Sequence, residues 1–143
     1  MTTVLADTSV IIKWFHSEGE TELDEARAIR DATQRGELQT RVIDLAIYEI
    51  GNVLLRSLHW AGSDVADQLD DLIVICGAPL ALAPEGLRLA ARLGATHGLT
   101  FYDSAWAATA MGLGISLVSA DAQLLAAGLA ESPGDAAHRL RLL

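Results

Sequence analysis

Near its N-terminus the chain reads Val4-Leu5-Ala6-Asp7-Thr8-Ser9-Val10, and the fold can be inferred outward from this stretch. Three apolar residues lead into a carboxylate, two hydroxyl residues and a further apolar run that extends to Phe15. This order indicates a buried strand that passes into a helix. Asp7 therefore lies at the C-terminal end of a strand, which is where open α/β sheets bind ligands. A simpler interpretation is that Asp7 only caps the helix by accepting backbone N–H groups.

Strand and helix patterns alternate along most of the chain. The expected strands after the first are Leu38–Ile43, Pro79–Ala83 and Ile115–Val118, and the tail could add an edge strand at His138–Leu143. The expected helices are Thr8–Phe15, Thr21–Arg35, Asp44 to about His59, a helix capped by Ser63, Glu85–His97, Asp103–Met111 and Ala122–Ala127. Such alternation predicts an α/β sandwich with a central, mostly parallel sheet flanked by helices.

The composition limits the architecture and the cellular setting. An apolar content of 51% in 143 residues is enough for one core, so we expect a single domain over residues 1–143. No apolar run reaches the roughly 18 residues of a membrane span, and no basic segment precedes an apolar one at the N-terminus, so neither a membrane helix nor a signal peptide is expected. The single cysteine, Cys76, has no partner for an internal disulfide, which is typical of a cytoplasmic protein.

The charge balance is strongly acidic. The formal net charge is −9, and Lys13 is the only lysine. This argues against a protein that binds nucleic acid mainly through non-specific electrostatic attraction, because such binding depends on many basic residues neutralising phosphates. An acidic chain can instead hold divalent cations.

Four carboxylates have apolar or small neighbours rather than a charged patch around them: Asp7, Glu49, Asp103 and Asp121. Asp7 and Asp121 both follow apolar strands, so in a parallel sheet they point into the same crevice. Taken singly, each acid has a simpler interpretation, as a helix cap or, for Glu49, as an exposed helix residue. Taken together, four converging carboxylates would repel one another and raise their own pKa values, and a divalent cation would relieve that repulsion.

The order and spacing of these motifs resemble the PIN-domain ribonucleases, and most closely the VapC toxins of toxin–antitoxin pairs. The resemblance is carried by Leu5-Ala6-Asp7-Thr8-Ser9, by Glu49, by Tyr102-Asp103-Ser104, and by Leu117-Val118-Ser119-Ala120-Asp121-Ala122-Gln123-Leu124. It spans nearly the whole chain. One departure is the proline that often precedes the helix bearing the glutamate, where this chain has Arg41-Val42-Ile43-Asp44.

The resemblance implies a site and a chemistry. Asp7, Glu49, Asp103 and Asp121 would be the metal-binding and catalytic acids, and Ser9 and Ser119 would be polar supports. The expected ion is Mg²⁺ or Mn²⁺, which prefer hard oxygen ligands. A water activated by the metal would hydrolyse an RNA phosphodiester and leave a 5′-phosphate. The resemblance also implies a homodimer and a cognate VapB-like antitoxin.

RNA binding by so acidic a chain has to rest on a local rim. The candidate arginines are Arg27, Arg30, Arg35, Arg41, Arg56, Arg88 and Arg92, and for at least half of them an ordinary surface role is the simpler interpretation. The tryptophans, Trp14, Trp60 and Trp106, could stack on bases, but packing is the commoner use of such residues.

Three rival functions also place acids in an α/β chain. A receiver domain would need a lysine near the end of a late strand, whereas the only lysine is Lys13. A phosphatase of the haloacid-dehalogenase type would need a second acid two residues after Asp7, and Ser9 stands there. The third rival is a non-catalytic acidic interaction domain in which the carboxylates are only caps.

Overall fold

A computed structural model describes all residues 1–143, and a parallel sheet of three short strands lies at its centre. The strands are β1 Thr3–Ala6, β2 Gln39–Arg41 and β3 Ser116–Val118. Their order in the sheet is β2-β1-β3, so the N-terminal strand is the central one. Both pairings are parallel, and all three C-terminal ends therefore meet at one edge of the sheet.

The central strand is the most buried part of the chain. Leu5 lies opposite Arg41 in β2 and opposite Leu117 in β3. Because β1 is paired on both edges and covered by helices, Val4, Leu5 and Ala6 have no exposed surface. This is why the strand reads as a continuous apolar run rather than as an alternating pattern.

Helices fill the connections between the strands. They are α1 Thr8–Ile11, α2 Leu23–Gln34, α3 Leu45–Asn52, α4 Gly62–Cys76, α5 Pro84–His97, α6 Phe101–Leu113, α7 Ala122–Ala126 and α8 Pro133–Arg139. A 3₁₀ turn, Ile12–Trp14, continues α1, and a π-helical segment, Val53–Ser57, continues α3. The predicted α/β architecture, with a parallel sheet flanked by helices, is confirmed. None of the helices combines the length and the apolar character needed to cross a membrane.

The strand predicted at Pro79–Ala83 is reduced to a single bridge. The Leu80 N–H donates to the carbonyl of Val42 at 2.9 Å, and the Leu80 carbonyl accepts the N–H of Asp44 at 2.8 Å. Pro79 has no N–H to donate, and the chain turns into α5 a few residues later. The segment thus extends the β2 edge of the sheet by one residue.

The edge strand predicted at His138–Leu143 is wrong, because α8 extends to Arg139 and the residues after it form no strand. Ser132 is the N-cap of α8, and its hydroxyl accepts the N–H of Asp135 at 3.1 Å. Pro133 follows at the first helical position, where its fixed φ is already suited to a helix. The Ser-Pro pair therefore starts a helix instead of making the turn that a Pro-Gly pair suggests.

The cap predicted for α4 is also wrong. This helix begins at Gly62 after Ala61, and no side chain accepts its first N–H groups. Ser63 lies inside the first turn, so its hydroxyl is past the N-cap position.

Candidate metal and catalytic site

The site begins at the sheet edge where β1 and β3 end. Asp7 follows β1 directly, and its N–H donates to the carbonyl of Val118 at 3.1 Å. Ser119 and Asp121 follow β3 in the turn that leads into α7. Because β1 and β3 are parallel neighbours, the residues after both strands come to the same place.

Asp7 is buried and both of its carboxylate oxygens accept hydrogen bonds. Its side chain caps α1, with the Val10 N–H at 3.4 Å from Oδ1. The Ser9 hydroxyl donates to Oδ1 and the Ser119 hydroxyl donates to Oδ2, each at 2.5 Å. The capping interpretation of Asp7 is therefore correct as geometry, but the cap is only one of three interactions that hold this carboxylate.

The two serines connect Asp7 to the turn after β3. The Ser9 hydroxyl accepts the N–H of Ala120 at 2.9 Å, and the Ser119 hydroxyl accepts the N–H of Asp121 at 3.0 Å. Each hydroxyl has thus used its proton on Asp7 and a lone pair on the backbone. This arrangement fixes Asp7 against the residues that position Asp121.

Asp121 is the N-cap of α7. Its Oδ1 accepts the N–H groups of Gln123 and Leu124, both at 3.0 Å. Its Oδ2 accepts no hydrogen bond within the chain, so capping occupies one oxygen of this carboxylate and leaves the other without a partner.

Asp103 does not cap its helix, contrary to one of the two interpretations of the sequence. The N-cap of α6 is Thr100, whose hydroxyl accepts the N–H of Asp103 at 3.1 Å. Asp103 is the third residue of the helix, and its carboxylate is half-buried. The signal for this arrangement is the Thr-x-x-Asp spacing, which is typical of a helix start.

Glu49 lies in the second turn of α3 and is half-buried, so the simpler interpretation, an exposed helix residue, does not describe it. The Thr8 hydroxyl donates to Glu49 Oε1 at 2.8 Å, across 41 positions of sequence. No basic side chain pairs with this glutamate.

The four acids line one cavity of about 310 Å³. Its walls are Asp7, Thr8, Ser9, Ile12, Glu49, Val53, Asp103, Trp106 and Asp121. No lysine, arginine or histidine is among them, so the negative charge of the cavity has no cation from the chain itself. In the structure as it stands, no three acidic, histidine or cysteine side chains close on a point that could hold a metal ion.

Burial dominates the electrostatics of the site. It raises the pKa of the Asp7 carboxyl from 3.8 to about 6, although the hydrogen bonds from Ser119 and Ser9 act to lower this pKa, and the charge of Asp121 raises it a little further. The pKa of Asp103 is also raised, first by burial and then by the charge of Asp121. Asp121 is therefore close enough to influence both Asp7 and Asp103.

Most of the candidate rim arginines are used within the chain. Arg27, Arg30 and Arg41 donate to backbone carbonyls, and Arg35 pairs with Glu37. Arg56, Arg88 and Arg92 are exposed and make no hydrogen bond or ion pair with the chain.

The three tryptophans are used in packing, whereas two tyrosines are exposed. Trp14 and Trp106 are buried, and Trp60 packs edge-on against Phe15, so packing is confirmed as their main use. The sequence reasoning missed two exposed tyrosines. Tyr48, 73% exposed, and Tyr102, 64% exposed, directly precede Glu49 and Asp103. The signal was an aromatic residue immediately before an acid in two separate motifs.

Comparisons with known proteins identify the family and the fold. The family described as PIN domain matches residues 4–129, a span that contains all four acids. Among solved structures, the chain is similar to PAE2754 from Pyrobaculum aerophilum, with 25% sequence identity and a TM-score of 0.70. That similarity covers 99% of this chain and 91% of the other. Among curated proteins, nothing matches at a significant level.

Proposed function

The chain belongs to the PIN domain family, and on that premise we propose that it is a metal-dependent endoribonuclease and the toxin of a VapBC-like toxin–antitoxin pair. PIN domains are generally metal-dependent nucleases. The observation that carries the proposal is the cavity itself. Four carboxylates from four separate elements line it, and no basic side chain offsets their charge. Such a cluster costs folding free energy unless something outside the chain neutralises it.

The donor chemistry of the cavity fits Mg²⁺ or Mn²⁺, because every charged group in it is a carboxylate. Asp7 and Asp103 would hold the principal ion, Glu49 would hold the ion or orient a water, and Asp121 would serve a second or outer position. When bound, such an ion makes a water more acidic and offsets charge on a leaving oxygen.

The chain's own residues supply positioning. Ser9 and Ser119 fix both oxygens of Asp7, so this carboxylate is oriented before any ligand arrives. Asp121 is held through Oδ1 by the start of α7, which leaves Oδ2 available. Fixed carboxylates of this kind bind a cation with little rearrangement, which is the basis of preorganised catalytic sites.

The proposed substrate is RNA, cleaved so that the product carries a 5′-phosphate. The acidic cavity cannot attract phosphates by itself, so contact must come from its rim. The exposed rings of Tyr48 and Tyr102 flank two of the acids, and aromatic rings stack on unpaired bases irrespective of charge. Arg56 is exposed two turns beyond Glu49 and is free to meet a phosphate.

We propose that the partners are a second copy of the chain and a VapB-like antitoxin. The support is the exposed apolar surface: Val74 is 83% exposed, and Met111 and Leu113 are each 53% exposed. Val74 lies on α4 and the other two on α6, and apolar side chains mark a protein interface where they form a contiguous exposed patch. We place the protein in the cytoplasm because its one cysteine, Cys76, is a buried free thiol. Light scattering and co-purification with the product of a neighbouring small reading frame would test these partners.

The enzymatic proposal is tested by incubating the purified protein with total cellular RNA, with Mg²⁺ or Mn²⁺ and with EDTA. We expect cleavage only with metal, and mapping of the cut ends should show 5′-phosphates. The Asp7→Asn protein is the control for contaminating nuclease. Cleavage that persists in EDTA, or that is equal in the variant, would overturn the proposal.

A non-catalytic interaction domain remains the second candidate, and one observation favours it. Asp7 and Asp121 are genuine helix caps, and no three acids close on a common point. The two functions differ in a simple titration. A nuclease site predicts that Mn²⁺ raises the melting temperature, whereas caps alone predict no change.

A further inference from the structure

One hydrogen bond joins the start of α1 to the acid on α3. Thr8 Oγ1 donates to Glu49 Oε1 at 2.8 Å. Both residues line the acidic cavity. From this contact we propose that Thr8 is the positioning residue for Glu49, an inference that rests on the proposed nuclease function.

Glu49 has no other anchor. It accepts no second hydrogen bond from the chain and takes part in none of its four ion pairs. A glutamate side chain has several freely rotating bonds, and without a partner this one would sample positions away from the cavity. The Thr8 hydroxyl selects one position and leaves Oε2 for a metal ion or a water.

Thr8 is well placed to impose that position. It is the first residue of α1, directly after Asp7, so its backbone is fixed by the sheet edge and by the helix start. Threonine is branched at Cβ, which restricts χ1 and therefore the direction of the hydroxyl. The segment Asp7-Thr8-Ser9 thus orients two acids, because Ser9 donates to Asp7 and Thr8 donates to Glu49.

The test measures metal affinity without RNA. Mn²⁺ is titrated into the parent, Thr8→Val and Thr8→Ser, and binding is followed by the melting temperature and by calorimetry. Thr8→Val keeps the shape and removes the donor, so we expect Mn²⁺ to bind about 10- to 100-fold more weakly, the usual cost of losing a partner of a metal ligand. Thr8→Ser restores the donor and should bind close to the parent.

The matched control is Thr109→Val. Thr109 is also a half-buried helical threonine, but its hydroxyl donates within α6 to the carbonyl of Ala105. It makes no contact with an acid of the cavity. The same chemical change at this position should leave the Mn²⁺ affinity unchanged. If Thr8→Val does not fold, as judged by far-UV circular dichroism, Thr8→Ala gives the same test without the added methyl group.

A double variant separates positioning from general damage. In a Glu49→Ala background, Thr8→Val should weaken Mn²⁺ binding no further, because the acceptor is already gone. An equal further loss in that background, or a Thr8→Ser protein as weak as Thr8→Val, would overturn the inference. So would a Thr8→Val protein that binds Mn²⁺ as the parent does.

The failure of the two proposals would look different. If the parent itself shows no binding of Mn²⁺ or Mg²⁺ and no cleavage, the nuclease proposal fails and the role of Thr8 fails with it. If the parent binds metal and cleaves RNA but the Thr8 variants match it, only the inference about Thr8 is wrong. In an active parent, Thr8→Val should lower kcat at a given metal concentration and recover part of it at high Mn²⁺, with KM for RNA little changed.

Discussion

Asp7 and Lys13 are buried to nearly the same extent, 5% and 4% exposed, and stand six positions apart on one stretch of chain. Their surroundings differ completely. Lys13 Nζ lies 3.1 Å from Glu20 Oε1 and donates to the carbonyl of Thr21 at 2.7 Å. Asp7 meets only hydroxyl and N–H donors, with further carboxylates around it.

This contrast separates a buried charge that is paired from one that has no partner of opposite charge. A buried ionised group is normally paired, because burial without a partner is costly. The chain follows that rule at Lys13 and breaks it at Asp7, where the resulting strain is visible as a raised pKa. Perturbed carboxylates gathered in a cleft are what a functional site leads one to expect. No basic side chain lines the cavity around Asp7, so any counter-ion for this carboxylate would come from outside the chain.

The largest expected effect is on catalysis. Asp7→Asn should lower metal-dependent RNA cleavage by on the order of 10³-fold, the scale seen when one electrostatic stabiliser is removed from an active site. The far-UV circular dichroism should stay native, since asparagine also caps helices. Lys13→Met is the matched control, and its folded fraction should cleave at the parent rate. If both variants lost cleavage activity equally, Asp7 and Lys13 would not differ in their importance for the reaction.

The next effect is a pH dependence that belongs to Asp7. Its pKa is 3.8 as a free side chain and about 6 in the fold. Between these values the folded state holds a proton that the unfolded state has released, so stability falls as pH rises from about 4 to about 6. The loss amounts to about 3 kcal/mol for this shift.

Urea denaturation in EDTA across this pH range would measure the loss of stability due to Asp7. The difference in the free energy of unfolding between the parent and Asp7→Asn should change with pH, because the other titrating groups are common to both proteins. An identical pH profile in the two proteins would mean that Asp7 ionises normally and that the cavity is not under charge strain.

Removing the paired charge, Lys13, should lower the stability of the fold. Lys13→Met leaves Glu20 and the Thr21 carbonyl without their donor, and we expect a loss of about 2 kcal/mol at neutral pH. Urea denaturation measures this directly, and adding Glu20→Gln should recover part of the loss. The gain in melting temperature on adding Mn²⁺ should match that of the parent. A Lys13→Met protein as stable as the parent would show that the pair is not a structural requirement.

The sequence predicted the C-terminal ends of β1 and β3 well, for a physical reason. Apolar runs such as Val4–Ala6 and Leu117–Val118 occur where strands are buried on both faces, and a carboxylate can follow such a run only where the chain emerges. Asp7 and Asp121 were identified in this way. Glu49 and Asp103 were identified from the apolar or small residues around them, and the structure brings all four acids to one cavity.

Features that depend on long-range contacts were not readable in the same way. The tail at Pro133–Arg139 is helical because Ser132 caps it and because α2 covers its alanines, and only the cap has a sequence signal. The contact between Thr8 and Glu49 joins residues that no local pattern relates. Which arginines are free depended on carbonyls that only the folded chain presents.

The smallest effect concerns Asp103, which lies nearer to solvent than Asp7. Its charge is disfavoured by burial and by Asp121, so Asp103→Asn in EDTA should melt no lower than the parent. A purely local role makes the opposite prediction. A carboxylate in the first turn of a helix interacts favourably with the helix dipole, and its loss costs about 0.3–1 kcal/mol.

The chain offers a matched control for this test in Asp135. Asp135 is the third residue of α8 and donates its N–H to Ser132, just as Asp103 is the third residue of α6 and donates to Thr100. Asp135 is exposed and does not line the cavity. Asp135→Asn should therefore lose the dipole interaction and melt slightly lower in EDTA and in Mn²⁺ alike. In Mn²⁺ at a hundredfold excess over Kd, the parent and Asp135→Asn should gain about 2.7 kcal/mol, and Asp103→Asn should gain less. If the two variants behave identically under both conditions, Asp103 is only a helix residue and does not belong to the metal site.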